Sequence, residues 1–309
     1  MNRVIIGTRG SDLALWQAEF VRKSLQTEFP DVEFETKIIR TTGDDVLDVS
    51  LSKIGDKGLF TRQIEAQLLS RDIDLAVHSL KDLQTEQPEG LVIGAVCKRE
   101  RPNDVLISRD DKSLDELPHG AKVATGSLRR RSQLLAYRPD LQIVEIRGNV
   151  PTRFRKFDES DLDAMILAYA GVERLGLGDR VSQLIPTDVL IPAVGQGAVA
   201  IEIREGDGDM AAVVSRLDDI TTRKCITAER AFLQRLEGGC QVPIGGYGTL
   251  EDEVLTLNGF VGALDGKKVF RETRQAPADE PAQLGLGLAE ELIAAGADAV
   301  LSESRAAAS

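Results

Sequence analysis

Histidine is nearly absent from this 309-residue chain, which holds only His78 and His119. A histidine-rich metal site or a histidine-driven nucleophilic triad is therefore poorly supplied, and proton transfer is expected to fall to carboxylates. Cysteine is scarce too: Cys97, Cys225 and Cys240 are odd in number, far apart and without a Cys-x-x-Cys pair. Neither a disulfide framework nor a zinc site is expected from them. No apolar run is long enough to span a bilayer. The opening residues, Met1-Asn2-Arg3-Val4-Ile5-Ile6-Gly7, read as a first strand rather than a secretory leader, so a cytoplasmic location without membrane contact is expected. Positive charge is also in deficit. With 38 basic against 50 acidic residues the formal charge is −12, which disfavours a nucleic-acid binder.

Locally the sign reverses. Lys122, Arg129, Arg130, Arg131, Arg138, Arg147, Arg153, Arg155 and Lys156 share their segment with only Asp140 and Glu145, a local charge of +7. A solvated basic face is one explanation. The placement of these residues on turns and helix starts points to a second, a small polyanionic ligand. Three arginines at a helix start carry an electrostatic penalty against the helix dipole unless an anion lies nearby. Arginine also favours two-point recognition of carboxylate or phosphate. Arg147 follows a strand directly, at an edge where α/β folds bind ligands, and Arg153 is placed to converge on the same region.

Short apolar runs alternate with helical patterns through the first two-thirds, an α/β signature. Val4-Ile5-Ile6 is expected as a strand, followed by a helix capped by Ser11 and carrying Leu13, Trp16, Phe20 and Val21 as its apolar positions. Strands are also expected at residues 32–38, 75–77 and 91–93, with a helical stripe at Phe60, Ile64, Leu68 and Leu69. The pattern then restarts with a strand at 122–124, a helix at 128–137 and strands at 143–146 and 164–167. Thr8-Arg9-Gly10-Ser11 and Thr125-Gly126-Ser127 hold equivalent places between a strand and a helix, where backbone N–H groups can receive an anion. Two similar lobes would explain the recurrence, with residues 199–203 as a strand returning to the first. Beyond Leu236 the character changes to a small antiparallel sheet, read at 255–257, 260–263 and 269–273, and a closing helix over 284–295. The alanine-rich tail is expected to fray.

Three further segments carry chemistry. His78-Ser79-Leu80-Lys81-Asp82 ends a strand with a cation and a carboxylate side by side, so Asp82 is either a general acid/base or a loop aspartate paired with Lys81. Residues 42–58 are rich in Gly, Asp and Lys and present Lys53 and Lys57, but lack the phosphate-loop spacing. Gly238-Gly239-Cys240-Gln241-Val242-Pro243 follows an expected helix over 222–236. Its glycines and proline aim the thiol, which leaves packing and a functional role both open.

Taken together, these motifs resemble the porphobilinogen deaminase (hydroxymethylbilane synthase) family. The resemblance runs in order through Gly7-Thr8-Arg9-Gly10-Ser11-Asp12-Leu13-Ala14-Leu15-Trp16-Gln17, Lys57-Gly58-Leu59-Phe60, Ala76-Val77-His78-Ser79-Leu80-Lys81-Asp82 and Gly126-Ser127-Leu128-Arg129-Arg130. It continues in Arg147-Gly148-Asn149-Val150, Pro192-Ala193-Val194-Gly195-Gln196-Gly197 and the Cys240 loop. It implies two periplasmic-binding-protein-like (type II) α/β lobes around a cleft plus a small α+β C-terminal domain. The boundaries expected are 1–98 with 198–217, then 103–192, then 220–309. It also implies a dipyrromethane cofactor held by a thioether to Cys240, onto which four porphobilinogens are added with loss of ammonia before water releases hydroxymethylbilane. Asp82 would be the catalytic carboxylate. Lys81, Ser127, Arg129 and Arg130, with Asp82, would hold the cofactor. Arg9, Ser11, Lys53, Lys57, Phe60, Arg147, Arg153, Arg174 and Gln196 would meet the substrate.

The implied chemistry suits the residues present. Each pyrrole brings two carboxylates, ammonia loss leaves positive charge for a buried carboxylate to stabilise, and neither needs histidine or metal. A monomer is expected. Gly126 stands where many members have serine, Gln84 where proline is common and Asp56 where many have glycine. The competing reading is a non-catalytic two-lobed binding protein for a small polycarboxylate.

Overall fold

The computed structural model describes residues 2–45, 58–236 and 242–308. Two compact units form, one from the chain up to Glu100 with Gly197–Arg223, the other from Arg101–Gln196 with the chain from Lys224 onward.

In chain order the first unit contains β1 (Arg3–Thr8), α1 (Asp12–Glu28), β2 (Glu33–Ile38), a single turn α2 (Thr42–Asp45), α3 (Arg62–Leu69), β3 (Leu75–Ser79) and β4 (Leu91–Val96). The second holds β5 (Asp104–Ser108), β6 (Lys122–Ala124), α4 (Leu128–Tyr137), β7 (Gln142–Val144), α5 (Val150–Asp158), β8 (Ala164–Ala168), α6 (Tyr169–Arg174) and β9 (Gln183–Leu184). The chain then returns to the first unit for β10 (Val199–Arg204) and α7 (Gly208–Val214), and α8 (Ile220–Arg235) leads back.

Both units carry a five-stranded sheet with one topology. The orders are β2-β1-β3-β10-β4 and β7-β6-β8-β5-β9. In each, three parallel strands are followed by an antiparallel one, β10 against β3 and β5 against β8. The recurrence expected from the two small-residue turns is therefore a repeat of whole sheets. Ser11 and Ser127 occupy matching N-caps, accepting from the backbone N–H of Ala14 and Arg130 respectively. The returning strand expected at 199–203 is β10. Its counterpart β5 has no expected strand in the sequence reading, because Pro102 and Asp104 mask its start.

Side-chain alternation assigns the faces of the first sheet. Leu75, Val77, Val199, Ile201 and Ile203 pack with Ala18, Val21 and Leu25 of α1, while Ala76 packs with Ile64 and Leu68 of α3. Full burial of Val21 and Leu25 stabilises the α1 contact by about 1.5–3 kcal/mol each. The apolar stripe expected on α1 is displaced. Trp16 and Phe20 are both 38% exposed and stack on each other at 5.6 Å, whereas Gln17, Ala18, Val21 and Leu25 face inward. Gln17 can be buried because its amide exchanges hydrogen bonds with Ser79, and that rotates the buried stripe by one residue.

The second unit also contains a meander, β11 (Ile244–Glu251), β12 (Val254–Gly262) and β13 (Val269–Pro277), backed by α9 (Pro281–Ala294) and α10 (Ala297–Ala308). Its core joins Phe232 of α8 with Leu255, Leu257, Val261, Leu284 and Leu288. One strand, β12, replaces the two short ones expected there, and the glycine-rich β11 was not expected. Where the alanine tail was expected to fray, α10 runs to Ala308, with Leu301 buried in the same core. Buried Glu229 of α8 ties the turn before Gln196 to β11, accepting from the N–H groups of Gly195 and Gly248 at 2.8 Å each.

Candidate active site

In the first unit the C-terminal ends of β1 and β3 open into one pocket. The turn after β1 supplies Arg9 and Ser11, and the end of β3 supplies His78 and Ser79. A single helical turn, Leu80–Asp82, follows. Leu80 is buried and its N–H donates to Ala198 O at 3.1 Å, so the turn is pinned beneath while Asp82 projects into the pocket. Asp82 is exposed. The buried carboxylate expected from the sequence is therefore not supplied by the protein around it, because the residue lies one turn beyond the strand end. Phe60 forms another wall, and the Arg9 guanidinium lies over its ring at 4.1 Å, a cation–π contact that orients both. Arg9, Ser11, Phe60 and Asp82 thus come together as expected residues. Gln17, Thr61 and His78 line the same pocket without having been singled out. Lys81 sits beside Asp82 on the turn and is half-buried.

In the second unit the arginine-rich helix start is built around an acid. Asp104, at the start of β5, is fully buried. Its Oδ1 accepts from Arg130 Nη2 at 2.7 Å, Arg130 Nε at 3.1 Å and Gln196 Nε2 at 2.8 Å. Its Oδ2 faces Arg129 Nη2 at 2.8 Å. Burial alone would raise the Asp104 carboxyl, but the two guanidiniums outweigh it and hold the group well below the usual carboxylate range. Burial pulls the Arg129 guanidinium below its ordinary value, with Asp104 opposing. The anion that the three-arginine helix start calls for is thus internal in part. One carboxylate serves two buried guanidiniums, which leaves a surplus positive charge, and Arg129 Nε has no hydrogen-bond partner among the described residues. Arg131, the third of the run, is exposed and donates to Leu264 O at 3.2 Å.

Gln196 does not present its amide openly. It is buried, and Nε2 donates to Pro102 O as well as to Asp104. Ser127 acts first as the N-cap of α4. Arg147 pairs with Glu145 at 2.7 Å and Arg153 Nε donates to Gly148 O at 2.8 Å, so both gather at the turn before α5. Arg174 closes α6 and is half-buried. Lys53, Lys57 and Cys240 lie outside the described residues. Among the described residues no cluster of three metal-ligating side chains occurs, and no helix is long and apolar enough to cross a membrane.

The class these pieces define is a two-lobed α/β chain, with an acid-bearing pocket in one unit and a buried surplus of arginine charge in the other. Comparison with known proteins gives the family. The model for "Porphobilinogen deaminase, dipyromethane cofactor binding domain" matches residues 4–212, and that for "Porphobilinogen deaminase, C-terminal domain" matches residues 223–294. The porphobilinogen deaminase of Chlorobium phaeobacteroides (strain BS1) is 53% identical over 308 residues, covering 98% of each chain. That of Desulforudis audaxviator (strain MP104C) is 54% identical over 305 residues, covering 99% of each. Among solved structures, the periplasmic aliphatic sulphonate binding protein SsuA from Escherichia coli superposes with a TM-score of 0.43 at 15% identity, over 77% of this chain and 71% of that one. This chain belongs to the porphobilinogen deaminase family.

The dipyrromethane group that this family binds carries several carboxylates. The buried surplus charge at Arg129 and Arg130, with an unmatched guanidinium nitrogen, is a donor set that fits such a group.

Proposed function

We propose that this chain is a transferase that joins four porphobilinogen molecules head to tail, releasing ammonia and, after hydrolysis, hydroxymethylbilane. The observation that carries this reading is the gathering of Asp82, Arg9 and Ser11 in one pocket. It supplies an acid for a reaction that develops positive charge and donors for a substrate that arrives with carboxylates. Membership of the family over nearly the full chain supports the identity of the substrate.

Cys240 would tether the dipyrromethane by a thioether, and Lys81, Ser127, Arg129 and Arg130, with Asp82, would hold it. Bound there, the group supplies the pyrrole carbon onto which the first porphobilinogen is joined. The remaining roles belong to the chain. Asp82 stabilises the positive charge left on porphobilinogen as ammonia departs. Arg9, Ser11, Arg147, Arg153 and Arg174, with Lys53 and Lys57, fix the acetate and propionate groups, and Phe60 offers its face to a pyrrole. Gln196 serves the substrate indirectly, by holding Asp104 and so the arginine pair. We place the lobes at 1–98 with 198–217 and at 103–192, and the cofactor-carrying domain at 220–309. The protein acts as a cytoplasmic monomer without nucleic-acid or membrane partners.

Incubation of the purified protein with porphobilinogen tests the reading. Ammonia release in step with formation of a linear tetrapyrrole is expected. Binding of porphobilinogen without ammonia release would instead identify a polycarboxylate-binding protein.

A further inference from the structure

Beneath α3 lies a group of titratable side chains with no part in the chemistry assigned above. His78 on β3 stands opposite Ala200 of β10, and Glu202 stands opposite Ala76. Alternation therefore puts His78 and Glu202 diagonally on the face that meets α3. Both are buried, and His78 Nε2 lies 3.1 Å from Glu202 Oε2. Glu202 Oε1 is buried with no hydrogen-bond partner among the described residues. Glu65 of α3, also buried, adds a second carboxyl, which burial pushes upward, while the Thr61 side chain, His78 and Arg62 oppose and Glu202 reinforces. His78 is among the residues that line the pocket holding Asp82, Arg9 and Ser79, with its side chain 4% exposed. Its Nδ1 makes no hydrogen bond among the described residues.

A carboxylate can only accept, so with Glu202 ionised the neutral ring carries its hydrogen on Nε2 and keeps a lone pair on Nδ1. A carboxylate with one oxygen unmatched gains most when the imidazole it faces becomes positive. We infer that His78, oriented by Glu202, accepts the proton released in each condensation. This rests on the reading under Proposed function. The step balances without a further reagent. The C–N bond of porphobilinogen's ammonium-bearing methylene breaks and ammonia leaves with the electron pair. The methylene forms a C–C bond to the acceptor pyrrole's free α-carbon. The proton on that carbon passes to His78 Nδ1 and its electron pair returns to the ring. The imidazolium then gives the proton to ammonia, which departs as ammonium. In every addition after the first, the acceptor is itself derived from porphobilinogen.

Two measurements on the purified full-length protein test this. With only two histidines in the chain and His119 exposed as a reference, long-range 1H–15N correlation spectra read the His78 tautomer directly. The Nε2–H form is expected, with that preference lost in Glu202→Gln. An Nδ1–H form in the unaltered protein overturns the inference. The second measurement uses porphobilinogen deuterated at its free α-carbon. Glu202→Gln is expected to lower kcat by roughly 100-fold with KM little changed, and to bring out a primary isotope effect. Loss of kcat with no isotope effect means a structural role and overturns the proposal, as does unchanged kcat. If Glu202→Gln does not fold, His78→Asn carries the same kinetic test. Failure of the unaltered protein to make product would count against the parent reading instead, and the tautomer would still decide whether His78 is set up as an acceptor.

Discussion

Replacing Asp104 by asparagine keeps the side chain's shape and removes the negative charge that lies between two buried guanidiniums. Arg130 and Gln196 donate to its Oδ1 at 2.7–3.1 Å, and the Arg129 guanidinium pairs with its Oδ2 at 2.8 Å. An asparagine has one oxygen to offer. Either way round, its NH2 group meets a guanidinium donor, and Arg129 and Arg130 are left as like charges in a dry site. Removing one partner of a buried ion pair typically costs about 3–5 kcal/mol, a large share of the roughly 5–15 kcal/mol that holds a domain folded. Urea unfolding of Asp104→Asn at neutral pH, followed by circular dichroism, is expected to show that loss. The acid limb carries a second signature. The folded carboxyl lies well below its ordinary value, so its contribution is present above the unfolded value of about 3.9 and is lost as pH falls below it. The variant should lack that part of the acid sensitivity. A stability loss under about 1 kcal/mol, the scale of one ordinary hydrogen bond, would refute the account of Asp104 as the counterion of the arginine pair.

Three other outcomes are expected. Asp82→Ala removes an exposed side chain, so stability should stay within about 0.5 kcal/mol of the unaltered protein, while product formation falls by roughly 100-fold or more; near-normal turnover would remove Asp82 from its role. Gly285→Ala places a methyl 2.1 Å from Ala228 O and 2.8 Å from Phe232 N, backbone atoms of the facing helix α8. It is expected to cost about 1–3 kcal/mol in a thermal or urea melt, and an unchanged melt would contradict the close approach of α8 and α9. Gly126→Ser meets Ile146 O at 3.1 Å, so serine there should be tolerated for less than about 1 kcal/mol, and a larger loss would mean that the turn depends on glycine.

Much of this architecture was legible in the sequence because it depends on local periodicity. Val4-Ile5-Ile6, Leu75-Ala76-Val77 and residues 199–203 are short apolar runs between turn signals, and all became central strands. The two capped turns at Ser11 and Ser127 announced the repeat of the lobes, and the arginine run marked a site that needs an anion. What escaped was tertiary. Nothing near Asp104 in sequence shows that it faces Arg129 and Arg130, since the contact depends on β5 lying beside β8. His78 reads as one more strand residue until the β3–β10 register brings Glu202 beside it. Trp16 and Phe20 belong to the apolar set by side-chain type but not by position, because the Gln17–Ser79 hydrogen bonds turn α1 by one residue. Glycine-rich β11 shows no apolar alternation; a Cβ at Gly245 would lie 2.8 Å from Ile191 O and one at Gly246 2.9 Å from the Val194 side chain, while one at Gly248 would press on Cys225 at 3.2 Å.

On the reading proposed above, a pyrrole primer is tethered to Cys240 and extended by one porphobilinogen at a time. Intact-mass measurement of the purified protein, before and after brief exposure to porphobilinogen, tests it most directly. A mass above the polypeptide by one dipyrromethane is expected, lost in Cys240→Ser, with further species each heavier by one porphobilinogen less ammonia. A bare polypeptide mass that stays unchanged on exposure to porphobilinogen would contradict it.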